Sequence, residues 1–493
     1  MTRFCRRIAH FTLTLCKEIP IVRREKNLSI GWIAMVEGKA MINSGKNREH
    51  WANRIGFILA AAGSAIGLGN IWRFPYMTGE HGGAAFMLIY LLAILLLGYP
   101  LVVTEIVLGR ASQRDPVGVF KILAPNTPWW LVGALGVFTG FVILSYYSVV
   151  AGWSFAYIYK VVIATNSPGI DHAVAFKNHI SNIWEPIAWQ ALFMILTVGI
   201  IAAGVVKGIQ RWSTILMPIL FVLLIILIIR AVTLPGAGEG LTYYLKPDFT
   251  KVTGRTLLAA LAQAFFSLSL GMGALITYGS YLNEKDEIPA SAAWVLSLDT
   301  GIALLAGFAL FPAIFALGFK PGAGPGLAFI TLPAVFAQMP LGSIFGVLFF
   351  FLLGIAALTS AISLLEVVTA WLIDEKGWSR RQAAICVGMV IFVVGLPATL
   401  GYSVLKDFSF PGLNTDLLDT YDWFANSIFL PMGGFLMAVF TGYVWGIKHA
   451  VHEVNKGHKA FSVGAGWALL IRYVVPVLIL FILAVGIYDT FWR

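Results

Sequence analysis

Charge is what this chain most lacks. Only 12% of its 493 residues are Asp, Glu, Lys or Arg, against 59% hydrophobic. A soluble domain carries about twice that charged share, so a globule surrounded by water is excluded. Cysteine is scarce: Cys5 and Cys16 lie near the N-terminus and Cys386 inside an apolar stretch. No two of them share a plausible outer loop, so no structural disulfide is expected. Enzyme signatures are missing as well, with no His-Glu-x-x-His, Gly-x-Ser-x-Gly or Walker sequence. The histidines are scattered without metal-ligand spacing. This composition argues against an enzyme. A formal net charge of +10 would suggest nucleic acid in a soluble protein. Here the basic residues sit between apolar runs, so the expected partner is the lipid bilayer and no nucleic acid.

What the chain has is apolar runs of membrane-crossing length, repeated from end to end. They predict an all-α polytopic membrane protein with eleven transmembrane helices. The spans fall near 54–79, 84–111, 130–162, 187–206, 211–232, 256–282, 289–318, 341–372, 381–402, 423–447 and 467–490. Lysine and arginine concentrate on one side, as at Arg110, Arg114, Lys121, Lys207, Arg211, Lys376, Arg380 and Arg381. That bias puts the N-terminus in the cytoplasm, and an odd span count puts Arg493 outside. Residues 1–47 read as a cytoplasmic tail, or as an over-extended start with Met35 or Met41 as the first residue. Residues 48–450 form the core, and 451–493 an inner loop plus the eleventh helix. The segment 320–340 holds four prolines and reads as a re-entrant outer hairpin.

Two spans are interrupted. Span 1 contains Gly63-Ser64-Ala65-Ile66-Gly67-Leu68-Gly69-Asn70, and span 6 contains Phe266-Ser267-Leu268-Ser269-Leu270-Gly271-Met272-Gly273. Lipid cannot hydrogen-bond bare backbone, so unwound chain at that depth must line a protein cavity or bind something. Five spans separate the two breaks, so their units run in opposite directions. Spans 1–5 and 6–10 are therefore read as a 5+5 inverted repeat, with a binding site at the breaks.

Polar side chains elsewhere in the spans add to this. Ala356, Thr359, Ser360 and Ser363 share one face of span 8, although membrane Ser and Thr often bond back to their own helix. Asp299 is an intramembrane carboxylate, by default a functional residue that wants a cation. Glu105 and Glu366 are read as structural acceptors for unwound backbone or water. Tyr147, on one face of span 3 with Ile143, could meet a substrate carboxylate or merely pack. Arg73 with Asp422 and Arg48 with Asp374 could form outer and inner ion pairs.

The runs Arg48-Glu49-His50-Trp51 and Gly67-Leu68-Gly69-Asn70-Ile71-Trp72-Arg73-Phe74-Pro75 resemble the neurotransmitter:sodium symporter family. So do Phe265-Phe266-Ser267-Leu268-Ser269 and Leu358-Thr359-Ser360, and the resemblance covers roughly 46–490. It implies two sodium ions. One would use the Ala65 carbonyl, Asn70, Ser267 and Asp299. The other would use the Gly63, Ile66 and Ala356 carbonyls with the Thr359 and Ser360 hydroxyls. The substrate would lie among Ser64, Ala65, Leu68, Gly69, Ile143, Tyr147, Phe266, Ser267, Ser269, Met272, Ser360, Ala361 and Leu364. Phe266 and Tyr147 would form a lid beneath an Arg73–Asp422 gate. Arg48, Trp51, Tyr281 and Asp374 would close the inner side. Gly208 and Pro218 match a span-5 pattern linked to inner opening.

Departures narrow the expectation. Monoamine-transporting members carry Asp where Gly67 stands, so the substrate should bring its own carboxylate. Met272 and Ala361 leave an adaptable apolar pocket. The expected function is sodium-coupled import of a hydrophobic amino acid, aromatic or branched, by alternating access. Asp299 beside the first sodium, with Ala303 offering nothing to an anion, predicts chloride independence, and Asp299 could take a proton on the return step. The short outer loop at 163–186 and the eleven spans resemble prokaryotic members, in the cell (inner) membrane. The alternatives are a proton-coupled permease of the same fold and a non-transporting amino-acid sensor.

Overall fold

A computed structural model describes residues 48–167, 169–319, 326–410, 412–413, 415–457 and 462–491. The expected tail, 1–47, lies outside the described residues, as does the start of the hairpin segment, 320–325. Contacts separate Met1–Arg48 from Glu49–Arg493, and the described spans all belong to the second unit. The described residues of that unit are helical apart from turns, loops and one isolated bridge, Gly83 with Pro247.

Among the described residues, nine helices are long and apolar enough to cross a membrane. They run Ala84–Ser112, Trp130–Asn166, Trp184–Ala202, Val205–Val232, Ile288–Ala316, Gly342–Lys376, Arg380–Leu400, Leu417–Val444 and Ala465–Tyr488. The tenth is span 1, a pair of helices, Arg54–Ala65 and Gly69–Glu80, bent by 57°. The eleventh is span 6, cut into Gly254–Ser267 and Ala274–Gly279. Neither piece of span 6 is long enough to cross alone, because the second interruption divides it.

Span 8 is the central pillar. Of its most apolar window 83% is buried within the protein, against 33% for span 11 at the periphery. It packs along span 3 and also meets the inner half of span 1. A helix apolar nearly all round belongs in an interior, and the small polar face around Thr359, Ser360 and Ser363, with Glu366 and Thr369 further along, departs from that. The hairpin segment forms a short helix over Leu327–Gln338. Its buried Phe329 stacks on Phe176 at 5.4 Å and meets Trp72 edge-on at 6.0 Å.

Boundaries shifted where turn chemistry was hidden. Spans 4 and 5 were expected to meet near 206–211, but span 4 ends at Ala202 and span 5 begins at Val205. Gly204 sits at φ +99°, a left-handed conformation that turns the chain there. Val205–Gln210 is then wound as a wide π-helical turn. Span 10 starts at Leu417, earlier than expected, because Asp416 caps it through the Asp419 amide.

At the C-terminal end of span 2, Asp115 caps the helix Pro116–Leu123. Its Oδ1 accepts the Val117 and Gly118 amides at 2.9 and 3.3 Å. The carboxyl is fully buried, and its own N–H donates to Asp374 Oδ2 at 2.8 Å. Burial, with Asp374 and Glu375 nearby, raises its pKa from 3.8 to about 7. The folded state thus holds this proton more tightly than the unfolded chain. Stability falls as pH rises from about 4 to about 7 and levels off above that. The Asp115→Asn variant keeps a capping oxygen and cannot ionise. Its thermal stability in detergent should match wild type in acid and exceed it increasingly up to pH 8, by at most about 4 kcal/mol. A difference independent of pH would contradict this.

Candidate ion and substrate site

The inner half of span 1 ends at Ala65, and Ile66 leaves helical geometry at φ −73°, ψ 103°. The helical ladder fails here because glycines at 63, 67 and 69 weaken it and neighbours offer other partners. The Gly67 N–H donates to Asn70 Oδ1 at 3.2 Å, and the Leu68 N–H to the Tyr147 hydroxyl at 3.3 Å. Close approach requires glycine at 67: a Cβ there would lie 2.7 Å from Ser360 Oγ and 3.0 Å from the Tyr147 hydroxyl.

Carbonyls freed by this break turn toward span 8. Ser360 Oγ lies 3.5 Å from the Gly63 carbonyl oxygen, 3.1 Å from that of Ser64 and 3.3 Å from that of Ile66. A single hydroxyl proton can serve one of these acceptors at a time. The remaining lone pairs crowd one small space, an arrangement that suits a hard cation taking oxygen ligands. Thr359 stands beside it, 3.0 Å from the Ala356 carbonyl. The structure thus brings together all five residues expected for the second sodium, although Thr359 also bonds back to Ile355 at 3.2 Å.

A second oxygen cluster lies where spans 1, 6 and 7 meet. Asn70 Nδ2 donates to Asp299 Oδ1 at 2.8 Å, to the Asp299 carbonyl at 3.1 Å and to Ser267 Oγ at 3.1 Å. Ser267 Oγ donates to Asp299 Oδ2 at 2.9 Å. Asn70 and Asp299 are fully buried. These are three of the residues expected for the first sodium, and Ala65 ends the adjoining half-helix. Two neighbours escaped the sequence reading. The Tyr90 hydroxyl lies 3.4 Å from Ser267 Oγ, and Gln263 Nε2 lies 3.4 Å from the Gly69 carbonyl. Both are polar groups in apolar spans, the signal that could have found them.

Span 6 breaks through Ser269 at φ +53° and glycines 271 and 273 at +88° and +77°. Glu105 of span 2 accepts the Gly271 N–H at 2.7 Å, the role expected of it. Ser269 Oγ donates to the Ser64 carbonyl at 3.0 Å, so the two breaks touch. Of the residues expected to line the substrate, Leu68, Ile143, Tyr147, Met272, Ala361 and Leu364 are buried, and a Cβ on Gly69 would meet the Phe266 ring at 2.6 Å.

At the inner end, Trp51 is buried. Its backbone N–H donates to the Tyr281 carbonyl at 3.2 Å, and its indole N–H to the Tyr278 carbonyl at 2.9 Å. Glu366 departs from its expected role. Its carboxylate accepts the Tyr281 hydroxyl at 2.5 Å and pairs with Arg380 at 2.8 Å, where unwound backbone was the expected protein partner. A fully buried charge needs an opposite one, and Arg380 opens the adjoining span. Arg380 also reaches Glu49 at 3.3 Å, and Glu49 Oε2 accepts the Val205 N–H at 2.5 Å. Asp374 accepts the Asp115 amide; Arg48 belongs to the separate first unit, so the Arg48–Asp374 pair stays an expectation.

The outer pair differs from the simple ion pair expected. Among the described residues no salt bridge joins Arg73 to Asp422. The Arg73 guanidinium lies over the Phe266 ring, 4.7 Å from its centre, and Asp422 accepts the Asn426 amide at 2.7 Å. An aromatic face attracts a cation where water is scarce, so the Phe266 ring and the arginine engage each other directly.

The family described as the Sodium:neurotransmitter symporter family matches residues 48–168 and 170–491. The chain is 42% identical over 445 residues to the uncharacterized sodium-dependent transporter YhdH of Bacillus subtilis, covering 89% of this chain and 98% of that one. It is 37% identical over 455 residues to an uncharacterized sodium-dependent transporter of Haemophilus influenzae, covering 90% and 99%. The solved structure of MhsT in complex with L-phenylalanine is similar at a TM-score of 0.82 and 47% identity, over 89% of this chain and 100% of that one. With two broken helices, oxygen clusters at the breaks and these matches along nearly its whole length, the chain belongs to the sodium:neurotransmitter symporter family.

Proposed function

We propose that this protein imports a hydrophobic amino acid, aromatic or branched, using two sodium ions per cycle and no chloride. The observation that carries the reading is the grouping of the Gly63, Ser64 and Ile66 carbonyls around Ser360 Oγ, with Thr359 and Ala356 adjoining. Such a set of neutral oxygens binds a small hard cation. The Asn70–Ser267–Asp299 cluster is the candidate first sodium site. Its carboxylate supplies the negative charge that a chloride ion would otherwise bring. The substrate carboxylate would face this cluster and the Leu68–Gly69 amides, and the side chain would lie toward Ile143, Met272, Ala361 and Leu364. The L-phenylalanine bound by MhsT supports an aromatic or comparable substrate.

In this cycle sodium stiffens both breaks, the amino acid completes the first site, and the Phe266 lid closes under Arg73. Trp51, Tyr281 and Asp374, with Arg48, then release the inner side. Each sodium contributes about 2.3 kcal/mol per 100 mV and about 1.4 kcal/mol per tenfold gradient. Two therefore drive roughly 7 kcal/mol of accumulation on those terms.

A proton-coupled reading has one observation in its favour: the buried Asp299 is held by two neutral side chains, Asn70 and Ser267. Uptake into proteoliposomes separates the two. Sodium coupling predicts uptake that needs a sodium gradient, collapses in potassium and is unchanged when gluconate replaces chloride. Uptake driven by a pH gradient without sodium would support the proton alternative. A large loss in gluconate would reject chloride independence. In competition across the twenty amino acids, aromatic and branched ones should compete best; preference for glycine or a charged residue would overturn the substrate class.

Two substitutions test the site itself. Removing the Ser360 hydroxyl (Ser360→Ala) should raise the sodium concentration for half-maximal uptake by about tenfold or more, and a wild-type sodium response would exclude this cluster. Placing a methyl at position 67 (Gly67→Ala) should push Ser360 and Tyr147 apart and weaken substrate binding by at least about tenfold, with thermal stability in potassium little changed. Wild-type affinity would show that the close approach at Gly67 is irrelevant to binding.

A further inference from the structure

Ser64 is gripped at both its ends. Its carbonyl accepts Ser360 Oγ of span 8 and Ser269 Oγ of span 6. Its own hydroxyl ignores its helix and donates to Ser363 Oγ of span 8 at 2.6 Å. Ser363 in turn donates to the Ser360 carbonyl at 2.8 Å. Ser64 and Ser363 are each 1% exposed, so water does not compete for either hydroxyl. An intramembrane serine normally bonds back to its own helix. Ser363 does so, and that habit fixes its oxygen as an acceptor for Ser64.

We infer that Ser363 is a positioning residue for sodium: its hydroxyl clasps Ser64 and so holds the Gly63–Ile66 carbonyls in front of Ser360. The inference rests on the sodium-coupled reading above and adds to it a residue that would not touch the ion. Ser64 is the penultimate residue of the Arg54–Ala65 half-helix, so the clasp pins that rod at its hinge end. Opening the inner side by moving this half-helix must break the Ser64–Ser363 bond. The bond therefore couples retention of the ion to closure of the inner side. Released from Ser363, the carbonyls at 63, 64 and 66 keep their chemistry and lose their common direction.

A double-mutant cycle on the full chain in proteoliposomes tests this, with sodium half-saturation and maximal uptake measured separately. Ser363→Ala and Ser64→Ala should each raise sodium half-saturation about five-fold. The double variant should be no worse than either single one, because both remove one bond. Ser363→Thr, which keeps the hydroxyl, should restore the wild-type value. A general loss of stability would lower maximal uptake and the melting temperature in potassium without shifting sodium half-saturation, and that pattern would overturn the inference. So would additive effects in the double variant, or an unshifted Ser363→Ala in a wild-type background that is sodium-dependent. A wild-type protein indifferent to sodium would instead overturn the transport reading, and this inference with it.

Discussion

Peptide groups that leave a helix at membrane depth have no water to turn to. Each bare N–H or C=O in hydrocarbon costs several kcal/mol, so the chain must supply partners or a bound species must. Both interruptions of this protein are answers to that constraint. Their N–H groups find protein acceptors: Asn70 for Gly67, the Tyr147 hydroxyl for Leu68, Glu105 for Gly271. Their carbonyls are treated differently. Three of them share the Ser360 hydroxyl. Donors are matched singly and acceptors are left in excess, which is the electrostatic condition for a cation.

That asymmetry organises the rest of the fold. Span 8 must be buried and close to the first break, which is why small residues occupy the face that meets Gly63 and Gly67. A Cβ at 63 would lie 3.3 Å from Thr359 Cβ. Span 6 must break at the level where Ser269 can reach Ser64, and Ser269 accepts a left-handed backbone to do so. Span 7 places Asp299 where Asn70 and Ser267 each donate a hydrogen bond to one of its two oxygens. The inner ends are tied by charge, with Glu366, Arg380 and Glu49 forming a line from span 8 to the first turn of span 5. The Arg380–Glu366 contact is the shorter and drier of the two, at 2.8 Å with Glu366 fully buried, against 3.3 Å for Glu49, which is 43% exposed.

Much of this was legible in the sequence because membrane chains obey few rules. Apolar runs located the spans, and glycine-rich polar interruptions located the breaks, since both signals follow from the absence of water in lipid. Asp299 announced itself as an intramembrane carboxylate, whereas the Thr359–Ser360 pair gained meaning only beside the breaks, because membrane hydroxyls often bond back to their own helix. What stayed hidden depended on geometry between distant segments. Nothing around Glu366 reveals that Arg380, fourteen residues on, would turn back to it. Tyr90 and Gln263 stood out only as polar groups in apolar spans, and nothing in the sequence pointed to Ser267 and Gly69 as their neighbours. The Gly204 turn was lost in an apolar background, so the junction of spans 4 and 5 was misplaced. The Arg73–Asp422 pair was read from opposite charges and from the family resemblance, and neither revealed that the aromatic face of Phe266 takes the same guanidinium.

The central claim is that sodium answers the unpaired oxygens at the two breaks. Hydrogen exchange of the full chain in a bilayer, compared in sodium and in potassium, addresses it most directly. Binding at the breaks should slow amide exchange in peptides covering 63–70 and 266–273 in sodium alone, with far smaller changes in spans 9 and 11. Equal exchange at both interruptions in the two salts would contradict the account.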